Sequence, residues 1–124
     1  MNFEELREKV EKWAKDKDLL HSENADKQFM KFIEEVFEFK TEMDIWKLYK
    51  QFKHDENIKQ DFSIEEVERW KNLKLEMGDI IVTLIILSKQ LDIDIVECLQ
   101  LAYEKISKRR GVTKNGIFYK EEDL

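Results

Sequence analysis

The sequence predicts an all-α fold of four helices followed by an extended C-terminal tail. Three observations predict it. There is no proline and there are only 3 glycines in 124 residues, too few breakers for a sheet protein with many turns. Hydrophobic residues make up 42% and charged residues 40%, the balance of amphipathic helices with charged outer faces. Apolar residues also recur at helical spacing over most of the chain. The length fits one domain, residues 1–124, with a modest core.

The elements come in order. Residues 2–17 read as a first helix, with Phe3, Leu6, Val10 and Trp13 on one stripe. Residues 18–26 are polar and read as irregular, with Asn24 or Asp26 placed to cap the next helix. That second helix spans about residues 25–49, or slightly further, because Phe29, Phe32, Ile33, Val36, Phe39, Met43 and Trp46 keep the period. The pattern fails over residues 51–62, where HDENIKQD reads as a loop. Ser63, followed by Glu65 and Glu66, predicts a cap and a capping box for a third helix that runs to about residue 90.

Inside that helix, residues 80–86 are rich in β-branched side chains and taken alone suggest a buried strand. Their flanks decide otherwise. Trp70, Leu73, Met77, Ile80, Ile81, Leu84, Ser88 and Leu91 form one stripe of 3.6-residue period, so the reading is a buried helix. Asp94 caps a fourth helix over about residues 95–109. After Gly111 the chain reads as an extended tail with a turn at Asn115-Gly116.

Composition also excludes function classes. The net charge of -6 opposes binding to long nucleic acid, whose phosphates select basic proteins. A small anionic substrate stays compatible if cations mediate its binding. Cys98 is the one cysteine, so no internal disulfide forms; the expectation is a small buried residue in a cytoplasmic protein. His21 and His54 have no cysteine or second histidine at ligand spacing, which argues against zinc. The first dozen residues are charged throughout, unlike a signal peptide. The longest apolar run, residues 80–87 broken by Thr83, is too short to span a bilayer, so no membrane partner is expected.

The chemistry-bearing pattern is acidic. At about 100° per residue, Glu34, Glu35 and Glu38 lie together beside the apolar arc of the second helix. Glu35 and Glu38 are i,i+3 neighbours and Glu34 and Glu38 are i,i+4 neighbours, spacings that bring Cβ atoms within about 5–6 Å. Like charges so placed oppose the helix by about 0.2–0.5 kcal/mol per pair, and a divalent cation would offset that. The third helix repeats the device with Glu76 and Asp79, flanked by Leu73, Ile80 and Leu84. If the two helices pack antiparallel, four carboxylates face one another across a cleft with no basic residue interleaved. Such hard oxygen ligands suit Mg²⁺, with Mn²⁺ as a substitute. In a chain with 28 acidic residues, glutamate pairs are also an ordinary solvated face, and at this point both readings stand.

The same residues resemble a family. KFIEEVFE, residues 31–38, is similar to the E-E-x-x-E signature of MazG-like nucleotide pyrophosphohydrolases, and LEMGDIIV, residues 75–82, to the E-x-x-D signature that comes after it. The likeness extends through AYEKISKRRG and the terminal NGIFYKEEDL. It implies a MazG-type, four-helix-bundle-like fold working as a homodimer or homotetramer. It implies Mg²⁺-dependent hydrolysis of a nucleoside triphosphate, often a deoxynucleotide (dNTP), to the monophosphate and pyrophosphate. It assigns Glu35, Glu38, Glu76 and Asp79 as metal ligands. Glu34 takes the first motif position as a ligand, a group behind the ligands or the base that orients water. Relatives that prefer dUTP or phosphoribosyl-ATP share this acidic logic. One departure is the stretch between Glu38 and Glu76, longer than the family's usual spacing, with the excess in residues 44–70.

A triphosphate also calls for cationic side chains. Lys105 and Arg109, i,i+4 on the fourth helix, are the first candidates, then Lys31, Lys108, Arg110, Lys114 and Lys120. Trp13, Phe29, Trp46, Trp70 and Phe118 are candidates to stack on a base and Asn115 to bond its edge, although aromatics at helical spacing more often build cores. A reading from another class is a non-catalytic helical interaction or regulatory module that uses the apolar stripes for a partner. Both long helices carry more apolar surface than one layer covers, which predicts a homodimer or homotetramer.

Overall fold

The computed structural model describes residues 1–55 and 63–124. Four helices form: α1 (Phe3–Asp16), α2 (Ala25–Lys53), α3 (Ser63–Gln90) and α4 (Ile95–Ile106). A hairpin of β1 (Gly111–Lys114) and β2 (Ile117–Lys120) comes next, so the protein is mostly helical with one small sheet. The chain divides into two compact units, residues 1–92 and residues 93–124. Among the described residues no helix is long and apolar enough to cross a membrane.

In the first unit, α2 packs along α3, and α1 packs on α3. The α2–α3 pair is antiparallel, because its contacts run in opposite senses along the two chains. Gln28 Nε2 donates to the Thr83 carbonyl at 3.3 Å, the Trp46 and Trp70 rings lie 5.2 Å apart, and Lys50 Nζ lies 3.2 Å from the Glu66 carboxylate. Residues 80–86 are helical, and Ile85 and Ile86 sit in the core with Ala14 and Tyr49. The run is helical as expected, but the buried face differs from the expected stripe: Thr83, Ile85, Ile86, Ser88 and Gln90 are buried, whereas Trp70, Met77, Ile81 and Leu91 are exposed. The polar groups beside them are tied down. Thr83 and Ser88 hydroxyls donate to the Ile80 and Ile85 carbonyls at 2.7 and 2.8 Å, and Gln90 Nε2 donates to the Leu19 carbonyl at 2.8 Å.

Helix ends obey local chemistry, with three departures from the sequence reading, at residues 18–26, at the end of α4 and at Cys98. Asn2 Oδ1 accepts from the Glu5 amide at 2.9 Å and Asp94 Oδ1 from the Val96 amide at 2.9 Å, as N-caps do. The 18–26 stretch contains a short 3-10 turn, Ser22–Asn24, and Asn24 precedes α2 without a side-chain capping bond. α2 runs to Lys53, through a region where the apolar period fails, because Lys50 and Lys53 both reach Glu66 on α3. α4 stops at Ile106, so Arg109 lies past the helix end, with its amide bonded to the Ile106 carbonyl at 3.1 Å. Cys98 is exposed on α4 rather than buried. The remaining loop residues 56–62 and the capping side chain of Ser63 lie outside the described residues.

The tail reverses at Asn115-Gly116, with φ of 51° and 78°, the left-handed pair that a tight two-residue turn requires. Gly111 pairs with Lys120, and a Cβ there would stand 2.1 Å from the Tyr119 carbonyl oxygen. Only glycine allows strands that close. For the α4 cap, Asp94→Ala should destabilise the fold by about 1 kcal/mol in denaturant unfolding, the usual cost of losing an N-cap.

Candidate metal centre

The centre is built by helix register. Glu35 and Glu38 share a face of α2 one turn apart, and the antiparallel α3 carries Glu76 to the same level. One carboxylate oxygen from each of Glu35, Glu38 and Glu76 lies within 4.8 Å of the others. Glu35 is 7% exposed, Glu76 is half-buried and Glu38 is exposed at the rim. Three of the predicted carboxylates are therefore brought together. Asp79 is exposed on α3 and lies outside the three-oxygen group, although its negative charge bears on Glu76. Glu34 also stands outside, its exposed carboxylate 3.4 Å from Lys31 Nζ.

Lys31 corrects one expectation, that no basic group mixes with the acids. Its ammonium lies 3.2 Å from Glu35 Oε1 as well as near Glu34, so this candidate phosphate cation is already engaged by two carboxylates. One lysine does not neutralise the cluster. Loss of hydration pushes the Glu76 carboxyl above its ordinary value, and the charges of Glu38, Asp79, Glu35 and Glu42 push it further. A hydrogen bond with the Glu35 carboxylate, then the Glu35 charge, raises Glu38 in the same direction.

The oxygens left over test whether a metal fits. Oε2 of Glu35, of Glu76 and of Glu42 is closed to solvent and accepts no hydrogen bond. Leaving such acceptors bare is costly in a protein interior. A cation is one group that would satisfy such acceptors, and carboxylate oxygens are hard ligands. The donor set of carboxylates on facing helices matches Mg²⁺ or Mn²⁺. Glu42 is the residue that the sequence reading missed. Its signal was present, since it lies four residues after Glu38 and seven after Glu35, on one helix face.

The candidate cations of the second unit form a group of their own. Lys105, Lys108, Arg109, Arg110 and Lys120 line a groove of about 440 Å³ together with Glu121 and Glu122. None of these five cations makes an ion pair among the described residues. Lys114 does not line the groove. Of the aromatic candidates, Trp46 packs on Trp70 and on Tyr49 (ring centroids 5.7 Å apart), with Lys50 Nζ 5.0 Å above its ring. Phe29 packs on Phe32 at 6.1 Å, and Trp13 lines an apolar groove with Leu6, Val10 and Val82. Phe118 stays exposed on β2, and Asn115 serves the hairpin turn.

The raised carboxyls set a pH dependence. A carboxyl that holds its proton more tightly when folded favours the fold at low pH, and that contribution is lost as pH rises through its folded value. In chelator, the wild type should lose stability relative to Glu76→Gln as pH climbs from the ordinary glutamate range towards neutrality. Added Mg²⁺ should reverse the order. Melting curves of both proteins across that range, with and without the ion, check this.

In comparisons with known proteins, no family model, no curated protein and no solved structure matches the chain.

Proposed function

We propose that the chain hydrolyses a nucleoside triphosphate, deoxynucleotides first among them, between the α- and β-phosphates in a Mg²⁺-dependent reaction. The observation that carries this reading is the trio Glu35, Glu38 and Glu76, with oxygens within 4.8 Å and two of the three residues holding an oxygen closed to solvent without a partner. The motif resemblance supplies the triphosphate. Glu35, Glu38 and Glu76 would hold Mg²⁺, or Mn²⁺ in its place, and Asp79 would be the fourth ligand that the motif resemblance adds. Bound there, the ion neutralises phosphate charge and lowers the pKa of a water molecule.

The chain's own groups do the rest. Glu34, outside the trio and steadied by Lys31, takes the proton of the attacking water. Attack at the α-phosphorus breaks the bond to the bridging oxygen, and pyrophosphate leaves. Lys105 and Arg109 bind phosphate oxygens as a cationic clamp. An acidic protein thereby takes an anionic substrate, because cations stand between the two sets of negative charge.

One observation favours a role for apolar contacts as well. Trp13, Phe37, Leu48 and Trp70 are 50%, 67%, 54% and 48% exposed, respectively, and stand among many large apolar side chains left uncovered. Surfaces of this kind are covered in assemblies. A homodimer or homotetramer fits that need, and so does the non-catalytic interaction module.

Two measurements separate the readings. Pyrophosphate release should be seen with Mg²⁺ from at least one member of a panel of dNTPs and NTPs that includes dUTP and phosphoribosyl-ATP. Glu38→Gln should lower turnover by about a hundredfold or more, while Arg109→Ala should raise KM and leave metal binding as it was. If no nucleotide turns over and Mg²⁺ gives no concentration-dependent rise in melting temperature, the interaction module is the correct reading. Sedimentation at micromolar concentration should show a dimer or tetramer, and a monomer would rule out the assembly.

A further inference from the structure

A pocket of about 250 Å³ lies within the first unit, apart from the acidic residues, and is lined by Leu19, Asn24, Lys27, Gln28 and Gln90. The connector after α1 supplies Leu19 and Asn24, the first turn of α2 supplies Lys27 and Gln28, and α3 ends on Gln90. Two of its carboxamides are already oriented. Gln90 is 5% exposed; its Nε2 donates to the Leu19 carbonyl at 2.8 Å, and its Oε1 accepts nothing. Gln28 Nε2 donates to the Thr83 carbonyl at 3.3 Å. With the NH₂ end of each amide engaged, the end that stays free is an acceptor. Asn24 makes no side-chain hydrogen bond and Lys27 no ion pair among the described residues, so both bring donors. Leu19 adds apolar surface.

Acceptors, donors and apolar surface around so small a space fit one planar ring with N–H and C=O groups on its edge. Asn and Gln carboxamides are side chains that pair with base edges. Position agrees with that class of ligand. Gln28 precedes Glu35 by seven residues, and Thr83, its partner on α3, follows Glu76 by seven. Two turns of each helix, about 10.5 Å of rise, thus separate Gln28 from the level of the acidic trio, on the same face of α2. A nucleotide whose phosphates meet a cation at the trio can lay its base along the seam towards Gln28. We propose that this pocket takes the base of the nucleotide, with Asn24 and Gln28 on its edge and Lys27 on a ring carbonyl or nitrogen. The proposal rests on the hydrolase reading for the phosphates and the metal, whereas the pocket's own contacts need neither.

The first probe is a panel of free deoxynucleosides, added to the full chain in chelator and followed by NMR of the side-chain amides. At least one should shift the Asn24 and Gln28 signals. Asn24→Ala and Gln28→Met should each weaken that binding at least about tenfold, the scale of one lost hydrogen bond in a site shielded from water. With Mg²⁺ and the matching dNTP, both variants should raise KM by a similar factor, keep kcat within about threefold and narrow the differences between bases. Mn²⁺ affinity should not change. A merely structural role would raise KM equally for every base and lower the melting temperature with it. No shift with any nucleoside, shifts with glutamate alone, or variants with wild-type KM for every base each overturn the proposal. If nucleotides turn over but the variants do not alter base preference, the hydrolase stands and the base pocket fails. If a nucleoside binds and Asn24→Ala abolishes it in a protein that turns over no nucleotide, the hydrolase reading fails and the pocket stands.

Discussion

Repulsion between carboxylates across the α2–α3 seam is the constraint on which the rest of this structure depends. Glu35, Glu38 and Glu76 meet there, with Glu42 one turn along. Charges held this close in a partly dry seam oppose both helices and oppose their packing. The seam nevertheless forms, and the groups that flank the acids show how. Towards one end, Gln28 bonds the Thr83 carbonyl, and Ile85 and Ile86 are buried against their neighbours. Towards the other, Trp46 packs on Trp70, and Lys50 and Lys53 share Glu66.

The two clamps differ in kind. An aromatic pair contributes about 0.5–1.5 kcal/mol beyond its burial. Partly exposed lysine–glutamate pairs contribute at most about 1 kcal/mol each, and less in salt. Together they exceed the few tenths of a kcal/mol per like-charge pair on an exposed helix. They compensate less well for the desolvation of Glu35 and Glu76, whose closed oxygens have no donor. The middle of the seam is thus the least satisfied part of a well-clamped pair of helices. A stable frame around an unsatisfied centre is the arrangement in which a bound cation contributes most to folding.

Much of this was legible in the chain. The apolar stripes located all four helices, and the helical period from Trp70 to Leu91 resolved the β-branched run as helix, although Trp70, Met77, Ile81 and Leu91 of that stripe are exposed. Asp94 announced its cap and Asn115-Gly116 its turn. Other features depend on partners far apart in sequence. The extension of α2 to Lys53 depends on Glu66 of α3, which no local window contains. At the candidate centre, spacing alone grouped Glu34 with Glu35 and Glu38, yet Glu34 is exposed and stands outside the group of three oxygens. Spacing also pointed to Glu42, but motif reading stops at Glu38. Its closed oxygen is a property of the packed seam and not of the sequence.

Net charge is likewise a property of the whole chain, while binding is local. Six cations and no carboxylate fall between residues 105 and 120, so the remaining residues carry twice the net negative charge of the complete protein. Such segregation has a cost, since each set repels itself. Five of those cations share one groove, where Glu121 and Glu122 supply only part of the opposite charge. The carboxylates of the α2–α3 seam are the mirror case, with Lys31 as their one close cation among the described residues. A divalent ion would satisfy one set and a phosphate chain the other.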